Sequence, residues 1–487
     1  MSVLTKLLFA DLERSNILKW LNARKVSVIV FLLSLLLFAS YAVWNTRVSW
    51  LFGDEPHYVI QTISLVKYHT FDLTPTIEGE DYLPFHYAKL EAQSNAGLGG
   101  RYSVHAYFFS MLIAPAVAIG LVLGKVQLFV ALELALLSAL GVVVMYKFIK
   151  GVFGIDWVAL LTTAIFALSQ PLVIYSHLVY PDILEGWGYV LAVYLIYLKE
   201  LSRRNVTLIS FTLAGVFFMH QKTITLTGLL LLWAMWKIFK QHKYRLALLL
   251  KDLRVYLLTI PYGLSVLLLL VMNLFLFGKF SFTAMIGDVK TVFTVSPIVG
   301  ILGNLFDQSH GIIIVMPVFV LVVLGFAALY QKKKELFWGI VITSFIFFII
   351  NMTYEDWLGG YSPAPRYMVP LLPVYSVSFA ALFINIKKVV SWAIVLLLVG
   401  VGTLMTLLLP MAVSYMYVLT ETNDLFRGLG GRLHYVIDYW PRFFPPTQKT
   451  WIGVAIISVA VLLLSLFIVF VESKRTNVNG VVSGTKE

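Results

Sequence analysis

Thirteen apolar blocks recur along the 487-residue chain, and this recurrence restricts the fold more than any single residue does. They run roughly over 26–46, 104–123, 126–148, 157–176, 182–200, 206–219, 223–240, 255–277, 311–330, 336–353, 366–386, 389–411 and 450–472. Most are close to the ~20 residues that carry an α-helix across a bilayer. Backbone groups in lipid must be satisfied within their own segment, so blocks of this length imply helices. A membrane barrel would show ~10-residue alternating strands instead, and none is visible. The sequence therefore predicts an all-α polytopic membrane protein.

Composition agrees. Hydrophobic residues make up 60% of the chain and charged residues 13%, against roughly 45–50% and about 25% in soluble domains. There is no cysteine, which excludes disulfides and thiolate metal ligands. The net charge of +12 is no nucleic-acid footprint, because most of it falls in short loops between blocks. Clusters lie in 1–25, at Lys147/Lys150, Lys199/Arg203/Arg204, Lys237 to Arg254, Lys332–Lys334, Lys387/Lys388 and at the tail around Lys474/Arg475.

If all thirteen blocks crossed, the clusters from Lys147 onward would lie opposite the N-terminus. If 104–123, interrupted by Pro115, enters without crossing, twelve spans place every cluster on one side. That side then holds 24 of the 37 Lys and Arg and only 8 of the 25 acids. A basic excess marks the cytoplasmic face. The expectation is twelve transmembrane helices, both termini cytoplasmic, and a re-entrant or interfacial helix at 104–123. Cleavage of a signal peptide near Ser40 and Ala42 is not expected, given the long charged segment before it and the spans that follow.

This topology divides the chain into a cytoplasmic segment 1–25, a module 26–390 with a long outer loop 47–103, C-terminal spans 391–472 with an outer loop 412–449, and a cytoplasmic tail 473–487. The outer loops 278–310 and 354–365 complete the outer face. They are rich in aromatics, Gly and Pro and read as ordered and functional. No internal repeat is visible.

The acids of that face stand out. "GDEPHY" places Asp54 and Glu55 just after the first block. Asp54 also suits a helix N-cap with Pro56 in the first turn, and Val59, Ile63 and Val66 predict an amphipathic interfacial helix. Asp182 lies in "VYPDIL" beside Tyr180, and it too could simply open a helix. Ionisable groups at membrane depth usually mark a site; Glu185 and Glu133 share that argument with less weight. Arg101, Lys222 and Arg366, with His105, His220 and His310, fall at outward span ends. Singly they suit snorkelling anchors; together they suit a phosphate group at the lipid boundary. His57, His220 and His310 lack zinc-site spacing. No Walker A loop or dinucleotide fingerprint is present, and "GLGG" at 428–431 is too short to count.

In this order and sidedness, "GDEPHY", "GGRYSVHAYFFSMLIAP" (99–115), "VYPDIL", "HGIIIVMP" (310–317) and "PRYMVPLLP" (365–373) resemble polytopic GT-C class glycosyltransferases, over about residues 20–390. The similarity is to the branch of protein O-mannosyltransferases and lipid A aminoarabinose transferases. The resemblance implies a GT-C fold and transfer of a sugar, with inversion, from a polyprenyl-phosphate-linked donor to a glycan, lipid or protein acceptor on the outer face of a prokaryotic plasma membrane. It implies Asp54 as general base, with Glu55 and Asp182 orienting it or the sugar. Arg101, Lys222 and Arg366 would meet the phosphate, with Tyr102, His105, Tyr180, His310 and Tyr367 as further binding residues. Partners are the donor and membrane lipids, without nucleic acid. No cofactor is expected, and a divalent metal requirement is left open. Two departures concern the acceptor: 412–449 has no room for the large luminal domain of protein O-mannosyltransferases, and "RYSVHA" stands where the aminoarabinose branch carries a Lys-Pro-Pro run. A transporter or flippase of lipid-linked sugars is the alternative function, and a non-catalytic scaffold a third.

Overall fold

The computed structural model describes residues 23–285, 294–363, 365–408, 440–443 and 445–473. Most of the expected N-terminal segment, 286–293 of one outer loop, 412–439 of another and nearly all of the tail lie outside the described residues.

In chain order the helices are α1 (Ala23–Val48), α2 (Glu55–Lys67), α3 (Thr74–Glu78), α4 (Tyr107–Leu123), α5 (Val126–Phe153), α6 (Asp156–Ala167), α7 (Gln170–Tyr175), α8 (Asp182–Leu198), α9 (Arg203–Met219), α10 (Ile224–Gln241), α11 (Leu246–Lys251) and α12 (Leu253–Phe277). They continue as α13 (Pro297–Phe306), α14 (Ile312–Val315), α15 (Val322–Lys332), α16 (Lys334–Met352), α17 (Leu372–Asn385), α18 (Val389–Leu408) and α19 (Gln448–Ser473). Between α3 and α4 a hairpin pairs β1 (Ser94–Gly97) with β2 (Gly100–Ser103), Gly97 opposite Gly100.

Over the described residues all thirteen apolar blocks are mainly helical, and the chain is a multi-pass integral membrane protein. Among the described residues, eight helices are long and apolar enough to cross a membrane: Lys25–Val48, Val126–Phe153, Gln221–Gln241, Leu253–Phe277, Lys334–Met352, Arg366–Asn385, Val389–Leu408 and Gln448–Ser473. The other four expected spans are shorter or broken for visible reasons. Block 157–176 divides into α6 and α7 at Ser169, with Pro171 opening α7. Pro317 stops α14 and starts a 3-10 turn, Pro317–Leu321, before α15, because proline cannot donate the helical bond. Blocks 182–200 and 206–219 are the 17-residue α8 and α9. Block 104–123 is α4, also 17 residues with Pro115 inside, packed against α2 and α5.

Burial is graded. The apolar stretch of Arg366–Asn385 is 89% buried, whereas that of Gln448–Ser473 is 6% buried. The first is the central helix. The second exposes Ile456, Val459, Leu462, Leu463, Leu466 and Phe470, a face that only lipid or another chain would cover. Inside, small residues bring backbones together, as is usual where lipid competes equally for apolar side chains. Gly325 of α15 faces the Ser378 carbonyl of α17, where an added Cβ would stand 3.0 Å away. Gly141 of α5 receives the Trp187 ring of α8.

One expectation fails. α2 is not an amphipathic helix lying at an interface, since Glu55 to Ser64 are all buried. Its polar residues find internal partners: Gln61 Nε2 donates to the His105 carbonyl (3.2 Å), Thr62 to the Tyr58 carbonyl (2.8 Å), and Ser64 pairs with Thr76 (2.6 Å). Satisfied in this way, the helix is pinned between α4 and the outer loop.

Candidate active site

The long outer loop delivers Asp54 through Gly53, whose φ is +58°. A Cβ at residue 53 would meet the Tyr180 hydroxyl at 2.5 Å and the Tyr361 carbonyl oxygen, so only glycine fits. Asp54 stands at the N-cap of α2, yet its carboxylate makes no capping bond. Capping does not explain it. Glu55 performs the local task instead, accepting from the amides of Phe52 (3.3 Å) and Val179 (2.9 Å). Its side chain is buried and ties the outer loop to the turn before α8. It is absent from the cavity wall.

Asp182 opens α8 behind Pro181. Gly186, one turn on, admits the chain from Arg366: a Cβ there would lie 3.1 Å from both the Pro370 carbonyl and the Pro373 ring. Pro370 and Pro373 also keep Arg366–Leu371 in a 3-10 turn ahead of α17, since each removes a backbone donor. That turn places Arg366 between the two carboxylates. Its Nη1 lies 2.7 Å from Asp54 Oδ2 and its Nε 3.3 Å from Asp182 Oδ2. Nη1 also donates to the Gly359 carbonyl (3.3 Å), and the guanidinium lies 4.7 Å from the Tyr180 ring centre. Lys222 extends the series, donating to Asp182 Oδ1 at 2.6 Å with the Tyr367 ring 5.0 Å away. Asp54, Arg366, Asp182 and Lys222 thus form one chain of alternating charge.

A cavity of about 560 Å³ opens on this chain, a size that suits a small-molecule ligand. Asp54, His105, His220, Lys222, Arg366 and Tyr367 line it, joined by Gln93, Asn351, Tyr354 and Asp356, with Val104, Ala106, Ile224, Phe282 and Ile350 as its apolar wall. Sequence reasoning did not select Gln93, Asn351, Tyr354 or Asp356. Gln93 donates through Nε2 to Asp54 Oδ1 (3.3 Å), and its Oε1 pairs with His105 Nε2 (2.8 Å). The His105 proton is therefore on Nε2. The Gln93 amide donates to His57 Nδ1 (3.2 Å). Tyr180 lies just behind the wall, its hydroxyl accepting from the Asp54 amide at 3.3 Å.

Three expected binding residues stand elsewhere. Arg101 is exposed on β2, its amide bonded to Asp72 Oδ1 (2.9 Å). Tyr102 packs on Phe277 at 5.8 Å and donates to the Leu98 carbonyl (3.0 Å). His310 is buried against Asp307 (3.4 Å), whose carboxylate also accepts from the Ser309 and Phe443 amides. None of the three is among the wall residues.

Electrostatics sharpen the picture. Burial alone would raise the Asp54 carboxyl, but Arg366, His105 and His57 outweigh it and hold the group well below the usual carboxylate range. Burial, reinforced by His105, pushes His57 down to about 3. His105 is lowered by burial as well. His220 is lowered further, by burial first and then by Lys222 and Arg366. Asp356 is raised by burial, which the Gly360 amide and Arg366 only partly offset. The cavity therefore presents an ionised Asp54, neutral imidazoles and two cations. Such a site can receive a phosphate on Arg366 and Lys222 while keeping a carboxylate beside it. Among the described residues no group of three His, Asp or Glu is placed to hold a metal ion.

No family model and no curated protein matches the chain. Solved structures do. The crystal structure of ArnT from Cupriavidus metallidurans bound to undecaprenyl phosphate aligns over 93% of this chain and 76% of that one, with a TM-score of 0.52 at 13% identity. The same protein in the apo state aligns over 93% and 74%, with a TM-score of 0.48 at 15% identity. The chain thus has the GT-C fold, and the particular likeness is to ArnT.

Proposed function

We propose that the chain is a glycosyltransferase that moves a sugar, with inversion, from a polyprenyl-phosphate-linked donor to an acceptor hydroxyl. The observation that carries this reading is the Asp54–Arg366–Asp182–Lys222 chain on the wall of a cavity with one apolar side. A lipid-linked phosphate needs that combination of cations and hydrocarbon. The shared fold supports it, since the aligned ArnT holds undecaprenyl phosphate.

In this reading the departing phosphate is received by Arg366 and Lys222, because charge developing on its oxygens is best met by preorganised cations. Asp54 takes the proton of the attacking hydroxyl. A carboxylate locked to arginine at 2.7 Å is a weak base, and catalytic bases work best near the operating pH. Donor phosphate competes for the same guanidinium, so donor binding would loosen the pair and make Asp54 more basic. Asp182 keeps both cations aimed. The basic loops on the opposite side support a reaction on the extracytoplasmic face of the plasma membrane.

The test is Asp54→Asn in membranes supplied with undecaprenyl-phosphate sugars. Sugar transfer is expected to fall by about 10²-fold or more, the usual worth of a positioned base. Undiminished transfer would remove Asp54 from the base role.

A further inference from the structure

Glu185 is a fully buried acid beside the cavity that the mechanism leaves unused. It lies one turn below Asp182 on α8 with no exposed surface. Among the described residues neither of its oxygens makes a hydrogen bond. Its neighbours are Nδ1 of His220 at 3.7 Å and Nζ of Lys222 at 4.0 Å. That nitrogen of His220 is buried and also has no hydrogen-bond partner. The remainder of the ring, with the side chain 23% exposed, lines the cavity.

Two physical facts bear on this pair. An ionised carboxylate buried without hydrogen bonds is far more costly than a protonated one. The two cations at hand are already matched, Arg366 by Asp54 and Asp182, and Lys222 by Asp182 at 2.6 Å. Asp54, Asp182, Arg366 and Lys222 sum to zero, so Glu185 completes a neutral cluster only when it carries a proton. Its O–H then faces the orphan Nδ1, about half an ångström beyond hydrogen-bond range. Closing that gap satisfies Nδ1 and the Glu185 oxygen that faces it, and fixes the other ring nitrogen as an N–H donor.

We infer that Glu185 is a positioning residue acting in its protonated form: it bonds Nδ1 of His220 and so presents an uncharged Nε2–H to a hydroxyl of the transferred sugar. This rests on the proposed transfer and adds a specificity contact to it. The cavity divides by chemistry in support. Arg366 and Lys222 suit phosphate, and Ile224, Phe282 and Ile350 suit the prenyl chain. His220, next to Gln221 and near Asn351 on the wall, offers the neutral hydrogen bonding that hydroxyls need.

The experiment uses the full chain with bare undecaprenyl phosphate and with a panel of undecaprenyl-phosphate hexoses and pentoses. His220→Ala is expected to weaken binding of the sugar-bearing ligand by about tenfold or more, the scale of a lost buried hydrogen bond. Binding of bare undecaprenyl phosphate should stay within about threefold, which also reports an intact fold. Glu185→Gln, whose amide N–H can replace the acid O–H toward Nδ1, is expected to retain about a third or more of kcat/KM; Glu185→Ala should lose about tenfold or more. The inference is overturned if Glu185→Gln falls as far as Glu185→Ala, or if His220→Ala weakens the bare and sugar-bearing ligands equally. A wild-type chain that binds neither ligand overturns the proposed function together with it.

Discussion

Replacing Arg366 with Gln tests the charge chain at its centre. Arg366 is 6% exposed and touches both Asp54 and Asp182, at 2.7 and 3.3 Å. Among the described residues its loss leaves Lys222 as the one Lys or Arg in contact with either acid, bonded to Asp182 alone. Breaking a buried pair by removing one partner typically costs about 3–5 kcal/mol. Part of that is recovered here, because burial then drives Asp54 toward protonation once Arg366 no longer opposes it. A net loss of about 2–3 kcal/mol is the expectation, read as a fall of several degrees in Tm in detergent or nanodiscs. Transfer should drop by about 10²–10³-fold, the usual effect of deleting one preorganised donor at a charge-developing centre. Arg366→Lys should restore part of the stability but less of the turnover, since a single ammonium cannot bridge two carboxylates as the fork does. Arg366→Gln with wild-type Tm and wild-type turnover would refute the reasoning.

Further outcomes follow from single contacts. Glu55→Ala strands the amides of Phe52 and Val179 and should cost about 1–3 kcal/mol, seen in Tm, while the folded fraction keeps its kcat. Gly53→Ala forces a side chain into a left-handed turn against the Tyr180 hydroxyl, so thermal stability and transfer should fall together. Arg101→Ala, altering an exposed side chain outside the cavity wall, should change the donor KM by less than about twofold, a surface-scale effect. For pH, the folded Asp54 carboxyl lies below its unfolded value. Its stabilising contribution is therefore complete above the ordinary carboxylate range, near pH 4, and is lost as pH falls through the folded value. Acid titrations of Tm should show a shallower low-pH limb in Asp54→Asn than in the wild type.

Much of this molecule is legible from sequence because membrane insertion leaves coarse marks. The thirteen blocks are mainly helical over the described residues since each had to satisfy its own backbone. Asp54, Asp182, Lys222 and Arg366 were visible because charge at the edge of a span is rare. The pair at 54–55 misled for a geometric reason: adjacent helical residues point about 100° apart, so one acid faces the cavity and the other faces the backbone of its neighbours. On β2 the two-residue strand period puts Arg101 and Tyr102 on opposite faces, and neither lines the cavity. Gln93, Asn351, Tyr354 and Asp356 left no local signal, being ordinary polar residues brought to Asp54 by contacts some 40 to 300 positions apart in the chain. Partition between α6 and α7 was hidden as well, because Pro171 lies inside an otherwise continuous apolar run.

Determining the structure with undecaprenyl phosphate bound tests the central claim most directly. The account predicts phosphate density within hydrogen-bond reach of Arg366 and Lys222, the prenyl chain leaving past Ile224 and Ile350, and a lengthened Arg366–Asp54 contact. A phosphate seated away from both cations, with the 2.7 Å pair intact, would contradict it.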